Sequence, residues 1–487
     1  MPVSNLHPTL LPLGEGDNIM DELWAQREFE GAHLRDKRFH HTLPEIANRL
    51  FCASECSFTQ AVGQAGRQAA HRLMSNPLIN INSIMAGHYR QTALRAVAYP
   101  VVLALQDTVA MGYDTHHAKQ GLGPIDNRPD GRGLLGHHVF VVTPEGLPLG
   151  LMDLVMWARD PDAHGKGKDR RAKPTHLKES QKWIHGEQAL LARLAPQQYV
   201  ILIQDREADI YDFLATQRRE GVDFIVRSAH PRAVLVSDTA EEPFCRKTDL
   251  LTASQEAPIV GTMDVTVPRS NDRPERQAQL TLRATRLRVL APKDRRLDTD
   301  TAWVDLTVVS ATEEDAPEGH TPIHWVLLTS LTVNTAEDAS LVVTRYSRRW
   351  LIERLHHTLK SGQRAEKLQI SDLHSLCNTL ALLFIVAWRV MHVAHLYRTN
   401  PELPALEVVS STELQVLETE TDAEITTVGQ AVLAIAKLGG YQAYRSAPPP
   451  GTVSIWRGIR RLEALTHGWH LCRKALYLSY RRDVNPA

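Results

Sequence analysis

The chain has 487 residues, enough for more than one domain, with 43% apolar and 23% charged residues, the composition of an ordinary globular protein. The formal net charge is −1, so bulk charge announces no nucleic-acid partner, and any such partner has to be read from local clusters. The five scattered cysteines (Cys52, Cys56, Cys245, Cys377, Cys472) argue against a disulfide framework and fit reduced thiols in a cytosolic protein; Cys52 and Cys56 lack a second ligand pair at zinc-finger spacing.

In chain order, MPVSNLHPTLLPLGEGD has neither a basic n-region nor a long apolar run, so no secretory leader is expected, and residues 1–19 read as a loose extension. Residues 20 to about 90 read as short helices: MDELWAQREFEGA, LPEIANRLFCA and FTQAVGQAGRQAAHRLMSN, the last stopped at Asn76-Pro77. Arg35, Lys37, Arg38, Arg67 and Arg72 are spread through them. A module that touches DNA and a plain helical cap fit equally well.

AYPVVLALQDT then reads as a strand ending at Asp107, and HHVFVVTPEG and LPLGLMDLVMWAR as two strands joined at Pro-Glu-Gly. A basic loop follows (Lys166, Lys168, Arg170, Arg171, Lys173), then a helix over about 176–194. QQYVILIQDREADI is a strand ending at Asp205 with a helix behind it, and GVDFIVRSAH a further strand. The order is three strands, helix, strand, helix, strand: an α/β pattern. Between about 229 and 335 short alternating segments with many turn residues predict an all-β insert. From 337 the chain turns helical. LCNTLALLFIVAWRVMHVAHL carries Arg389, His392 and His395 and reads as a buried helix, not a membrane span. Residues 405–487 are mostly helical, with a break at APPPG and a basic tail.

Asp107 and Asp205 each end an apolar strand, where open α/β sheets place their ligands. Asp205 could equally cap the following helix, whose first turn is favoured by Glu207 and Asp209. In RYSRRWLIERLHHTLKSG, at about 100° per residue, Tyr346, Arg349, Glu353, His357 and Lys360 share one stripe of a helix, and Leu351, Ile352, Leu355 and Leu359 share the other. A solvated face carrying ordinary ion pairs explains that periodicity as well as a site does.

The spacing Tyr346-x2-Arg349-x3-Glu353-x6-Lys360 resembles the Y-R-E-K signature of bacterial insertion-sequence transposases with a DDE active site, of the transposon-five type. QDT around Asp107, DREADI, VRSAHPR, HWVLLTS and RWLIE resemble that family's segments in the same order, and RLMSNP and AKLGGY extend the likeness over about residues 20–470. The resemblance implies an RNase H-like catalytic core with a mixed five-stranded sheet, split as 91–228 and 336–397 around a β-strand insertion at 229–335. A helical domain at 20–90 would bind transposon ends, and a helical domain at 398–487 would pair two subunits on DNA. The implied activity is DNA cleavage that frees a 3′-OH, a hairpin intermediate and strand transfer into target DNA, in the cytoplasm of a bacterium. No membrane role is expected.

The resemblance makes Asp107, Asp205 and Glu353 the acidic triad and the ligands of two Mg²⁺ ions, with Mn²⁺ as substitute; hard divalent cations take oxygen ligands. It assigns Tyr346, Arg349 and Lys360 to phosphates beside the cleaved bond, Trp325 to stacking on a flipped base, and Arg227 to that pocket. Arg38 and Arg72 are expected phosphate contacts. The chain departs from the pattern at His357, where the family often has Lys, and only loosely resembles it in the basic loop at 166–173. Core packing of Trp350 stays open. The competing readings are a catalytically silent DNA-binding regulator, or domesticated transposase, and a structure-selective RNase H-like nuclease.

Overall fold

The computed structural model describes residues 24–484 apart from 54–55, 117, 127, 129–130, 164–172, 238–243, 268–274, 294–296 and 445–446. The extension 1–19 and Lys166, Lys168, Arg170 and Arg171 lie outside the described residues; Lys173 is exposed.

Four helices open the described chain: α1 (Trp24–Glu28), α2 (Phe39–Cys52), α3 (Phe58–Met74) and α4 (Ile81–Val97). Helix α3 starts where a capping box forms: Ser57 Oγ accepts from Gln60 N and the Gln60 side chain accepts from Ser57 N. It stops just before Asn76-Pro77, as the sequence predicts. Helix α4, which the sequence reading does not single out, is capped by Asn80, whose side chain accepts from Ser83 N at 3.0 Å.

The strands are β1 (Val101–Gly112), β2 (Gly123–Pro124), β3 (Arg132–Val142), β4 (Pro148–Trp157), β5 (Tyr199–Gln204), β6 (Val222–Arg227), β7 (Ala233–Val236), β8 (Arg246–Asp249), β9 (Ile259–Val267), β10 (Arg276–Leu290), β11 (Trp303–Thr312) and β12 (His324–Thr329). They form a single mixed sheet in the order β2-β3-β1-β5-β6-β12-β11-β10-β7-β8, with β4 paired to β3 and β9 to β10. Strand β1 runs antiparallel to β3 and parallel to β5, and β5 is parallel to β6. The β-rich residues 229–335 continue this sheet through the antiparallel β6–β12 pair instead of forming a separate layer. Helices α5 (Lys182–Arg193), α6 (Tyr211–Leu214) and α7 (Leu250–Glu256) lie between strands in the chain.

Two expectations need correction. Strand β1 does not end at Asp107 but runs on to Gly112, because β3 pairs with it throughout, Asp107 opposite His138 and Gly112 opposite Gly133. Its parallel partner β5 stops at Gln204, with the last pair at Leu105 and Ile203. Asp107 therefore sits past the end of one ladder while its backbone is held by the other.

The second correction concerns residues 345–362, which are not one regular helix. They are divided among α8 (Ala336–Ser347), α9 (Trp350–His357) and a π-helical turn at Thr358–Gly362. Between α8 and α9 the bonds tighten to i→i−3, as from Arg349 N to Tyr346 O at 2.9 Å and from Ile352 N to Arg349 O at 3.0 Å. In the π turn they loosen, with Gln363 N bonded to Thr358 O at 2.9 Å. A wheel with constant angular step fails across both, and Tyr346 is buried, not on an open stripe.

Helix α10 (Leu373–Thr399) is the expected buried helix: long and apolar enough to cross a membrane by composition, and enclosed by the protein along its apolar stretch. It packs against α2, α4, β4, α12 (Val428–Leu438) and α13 (Thr452–Val484). Helices α11 (Ser411–Thr421) and α12 each begin with a capping box, built on Ser410 with Glu413 and on Thr427 with Gln430. The start of α13 is anchored by Trp456, whose indole N–H donates to Phe51 O at 2.7 Å.

The N-terminal helices join the sheet through a buried charged network. Glu28 Oε1 accepts from His88 Nδ1 at 2.5 Å, and His88 Nε2 accepts from Leu151 N on β4 at 2.8 Å. That second bond leaves the proton on Nδ1. Arg95 donates to both Glu28 oxygens at 2.9 Å, donates to Leu149 O at 2.7 Å, and stacks over the Trp388 ring at 4.3 Å. Burial opposes the Glu28 charge, but the Arg95 guanidinium and the His88 bond prevail and hold its carboxyl down at about 2. Gly150 (φ +147°) lets β4 approach α4 this closely, since a Cβ there would lie 2.0 Å from Thr92 Oγ1.

Candidate active site

Asp107 Oδ1 accepts from Thr108 N at 2.7 Å, and Oδ2 faces Arg349 Nη1 at 3.4 Å. Its side chain is 18% exposed. Burial, reinforced by the charge of Asp205, pushes its carboxyl up to about 6, with the Thr108 N–H and Arg349 offsetting only part. Asp205 lies just past the last residue of β5 and caps a 3-10 turn at Arg206–Ala208, Oδ1 accepting from Glu207 N at 2.8 Å. Asp205 thus caps, with one oxygen, a 3-10 turn and not the expected helix, which begins only at Tyr211 behind Ile210. Burial raises the Asp205 carboxyl too; the Glu207 N–H, Arg349 and Lys182 pull the other way.

Glu353 comes from α9 and pairs with Arg349 Nη2, so one guanidinium is tied to Asp107 and to Glu353. Three carboxylates from β1, the end of β5 and α9 therefore share one electrostatic neighbourhood, and two are linked by Arg349. Among the described residues no group of three or more His, Cys, Asp or Glu side chains is closed up as a metal-ligand cluster. The chemistry of the donors nevertheless suits a hard divalent cation. They offer carboxylate oxygens, and burial, which raises the carboxyls of Asp107 and Asp205, disfavours their charged forms until a cation faces them.

The remaining expected residues divide into two groups. Tyr346 stands edge-on to Trp325, with ring centroids 5.3 Å apart. Arg227, at the end of β6, donates to His324 O at 3.2 Å and hydrogen-bonds the Tyr346 side chain. Trp325, Tyr346, Arg227, Arg349 and the acids thus join into one connected set. Lys360, in the π turn, pairs with Glu366 at 3.2 Å. The other group is remote in the chain and stands on the N-terminal helices: Arg38 is exposed and tied to Asp36 at 2.7 Å, and Arg72 is exposed on α3. Trp350 is 54% exposed, so core packing does not account for it. His357 is exposed at the end of α9.

Its neighbour His356 faces inward instead, Nε2 to Nε2 of His138 at 3.2 Å, and His138 is the cross-strand partner of Asp107. Burial holds both imidazoles below their usual range. Sequence reasoning passed over this pair. The one available signal was the His356-His357 doublet one turn beyond Glu353.

Two family models match. Residues 21–79 match the model described as "Transposase DNA-binding", and residues 177–389 the one described as "Transposase DDE domain". Both matches are to transposase domains. The second span contains Asp205, Arg227, Trp325, Tyr346, Arg349, Glu353 and Lys360 and leaves Asp107 outside; the first contains Arg38 and Arg72. Among solved structures, a piggyBac transposase synaptic complex with hairpin DNA aligns over 77% of this chain and 72% of that one, at 10% identity and a TM-score of 0.31. A likeness that slight carries no argument.

Proposed function

We propose that this protein is a DNA transposase that cleaves at transposon ends and joins the freed 3′ ends to target DNA. The observation that carries the reading is that Asp107 and Glu353, from separate elements, pair with one guanidinium, Arg349, while Asp205 lies within electrostatic reach of both Asp107 and Arg349. The match of residues 177–389 to the transposase DDE domain supports it. The adjacency β4-β3-β1-β5-β6, with β3 and β4 antiparallel and β1, β5 and β6 parallel, supports an RNase H-like core.

In this reading the three carboxylates hold two divalent cations, Mg²⁺ with Mn²⁺ as substitute, which when bound would supply the positive charge that an in-line displacement at phosphorus needs. Water is the first nucleophile, and the bond to the 3′ oxygen breaks. The released 3′-OH then attacks the opposite strand, giving a hairpin, and after hairpin opening attacks target DNA. Arg349 and Lys360 meet phosphates beside that bond. Trp325, held by Tyr346 and Arg227, offers its indole to a base turned out of the stack, recovering part of the unstacking cost. Residues 20–90, with Arg38 and Arg72, bind the transposon end. Two copies of the chain pair on DNA through residues 398–487.

The test is incubation of the protein with DNA carrying the inverted repeats that flank its own gene, with Mg²⁺ or Mn²⁺. Nicks at the repeat boundary, followed by capture of those ends in a target plasmid, are expected. Tight end binding without any cleavage would favour the silent regulator. Cleavage without capture would favour a nuclease. Trp325→Ala is expected to cut hairpin formation by roughly ten- to a hundredfold, the worth of one stacked base.

A further inference from the structure

The geometry points to Glu366 as a positioning residue that aims Lys360 at its phosphate. This rests on the reading of Lys360 as a phosphate contact. Lys360 Nζ lies 3.2 Å from Glu366 Oε1, with the two side chains 33% and 34% exposed. An ion pair so open is by itself worth little. Two further observations set it apart.

Glu366 Oε1 also accepts from the backbone N–H of Gly112 at 2.9 Å. Gly112 ends β1, five residues beyond Asp107 on the same strand. The carboxylate that holds Lys360 is thus tied to the strand that carries the first acid of the site.

The loop presenting Glu366 is fastened as well. Arg364 adopts φ +54°, ψ +38°, a left-handed conformation that a side chain takes only when its surroundings impose it. Tyr113 Oη donates to Ala365 O at 3.0 Å, and Gln120 N donates to Ser371 O at 2.8 Å. Lys119 is 4% exposed, and its ammonium donates to Leu368 O at 2.8 Å and Ile370 O at 2.5 Å, over the Tyr113 ring at 4.7 Å. Burying an ammonium against carbonyl oxygens is a costly placement, which the loop it fixes accounts for. Gly112, Tyr113, Lys119 and Gln120 are therefore stitched to residues 365–371 on either side of Glu366.

A lysine has a flexible four-carbon stem and three N–H donors. One donor fixed on Glu366 sets the direction of the stem and leaves two for phosphate oxygens. The π turn at Thr358–Gly362 places Lys360 over this carboxylate, and π turns inside helices recur at functional sites.

The experiment is a double-mutant cycle in the full chain: Glu366→Gln, Lys360→Gln and both together. It reads single-turnover cleavage of end DNA, end binding and melting temperature. Gln at 366 keeps an oxygen for Gly112 and removes the charge facing Lys360. Glu366→Gln is expected to slow cleavage about tenfold, the scale of a small misplacement, with end binding and melting temperature unchanged, and the double variant should be no slower than Lys360→Gln. Wild-type cleavage by Glu366→Gln beside a slow Lys360→Gln would overturn the positioning role and leave the phosphate reading of Lys360 standing. Faster cleavage by Glu366→Gln would overturn it too, making Glu366 a placeholder that DNA displaces. Additive losses in the double variant would show that Glu366 acts elsewhere. If Lys360→Gln itself cleaves normally, the reading of Lys360 fails first.

Discussion

The Glu28–His88–Arg95 junction and the Asp107–Arg349–Glu353 site use the same ingredients, carboxylate, arginine and a nearby histidine, with opposite results. At the junction one acid meets a bidentate arginine and an imidazole N–H, and its carboxyl is held at about 2. At the site two acids share one arginine, and burial together with the charge of Asp205 pushes Asp107 up to about 6. The first cluster is balanced from within and works as a fastening. The second leaves the charge of a buried Asp107 only partly offset by its neighbours.

The largest expected effect is at the site. Asp107→Asn, Asp205→Asn or Glu353→Gln should each reduce end cleavage by roughly a thousandfold or more while keeping end binding, as removal of a group acting only in the transition state does. Gel assays of nicking and of mobility check both halves. A variant that still cuts would mean that the site is not where these acids meet.

Next in size is the junction. Glu28→Ala leaves the buried His88 and the partly buried Arg95 without their carboxylate and should cost about 3 kcal/mol of stability, measured by denaturant unfolding. Loss of less than about 1 kcal/mol would mean that the network is a surface-like pair.

The two clusters also differ in the sign of their pH dependence. Glu28 has a depressed carboxyl, so its contribution is complete above its usual value and is lost as pH falls toward about 2. Asp107 has a raised carboxyl: the folded state holds its proton longer, so the metal-free fold loses stability as pH rises from about 4 through about 6. In EDTA, Asp107→Asn should therefore gain on the wild type across that window, by at most about 3 kcal/mol. Buried histidines such as His138 and His392 pull the other way in both proteins and cancel. A difference that does not grow with pH would contradict the raised Asp107 carboxyl. The smallest effect is expected at Trp350: Trp350→Ala should change stability by less than about 0.5 kcal/mol, since its ring lies largely in solvent.

Strand and helix types were readable wherever the pattern was local. The alternation of β10, the apolar block of α10 and the stop at Asn76-Pro77 all announce themselves. What periodicity could not carry was any feature set by a partner. Strand β1 looks finished at Asp107 because the apolar run ends there, yet β3 holds it to Gly112. Residues 345–362 look like one helix because nothing in their sequence marks the tightened turn before Ile352 or the π turn after His357. Glu28, His88 and Arg95 are separated by 60 and 67 positions from one end of the network to the other. No single stretch of sequence displays them as a set. The same holds for Lys119 and its carbonyls some 250 residues on.

The continuity of the sheet has a mechanical consequence. Gln204, which precedes Asp205, pairs with Val226, and the next residue, Arg227, pairs with Leu327, two residues from Trp325. The indole and the second acid are therefore graduations on one ruler, spaced by ladder hydrogen bonds and not by a hinge. A base gripped at Trp325 would define how far along the strand the reactive phosphate must lie, so the cut position would be gauged by the width of three neighbouring strands. Slipping the β6–β12 register would move the cut before it weakened the grip.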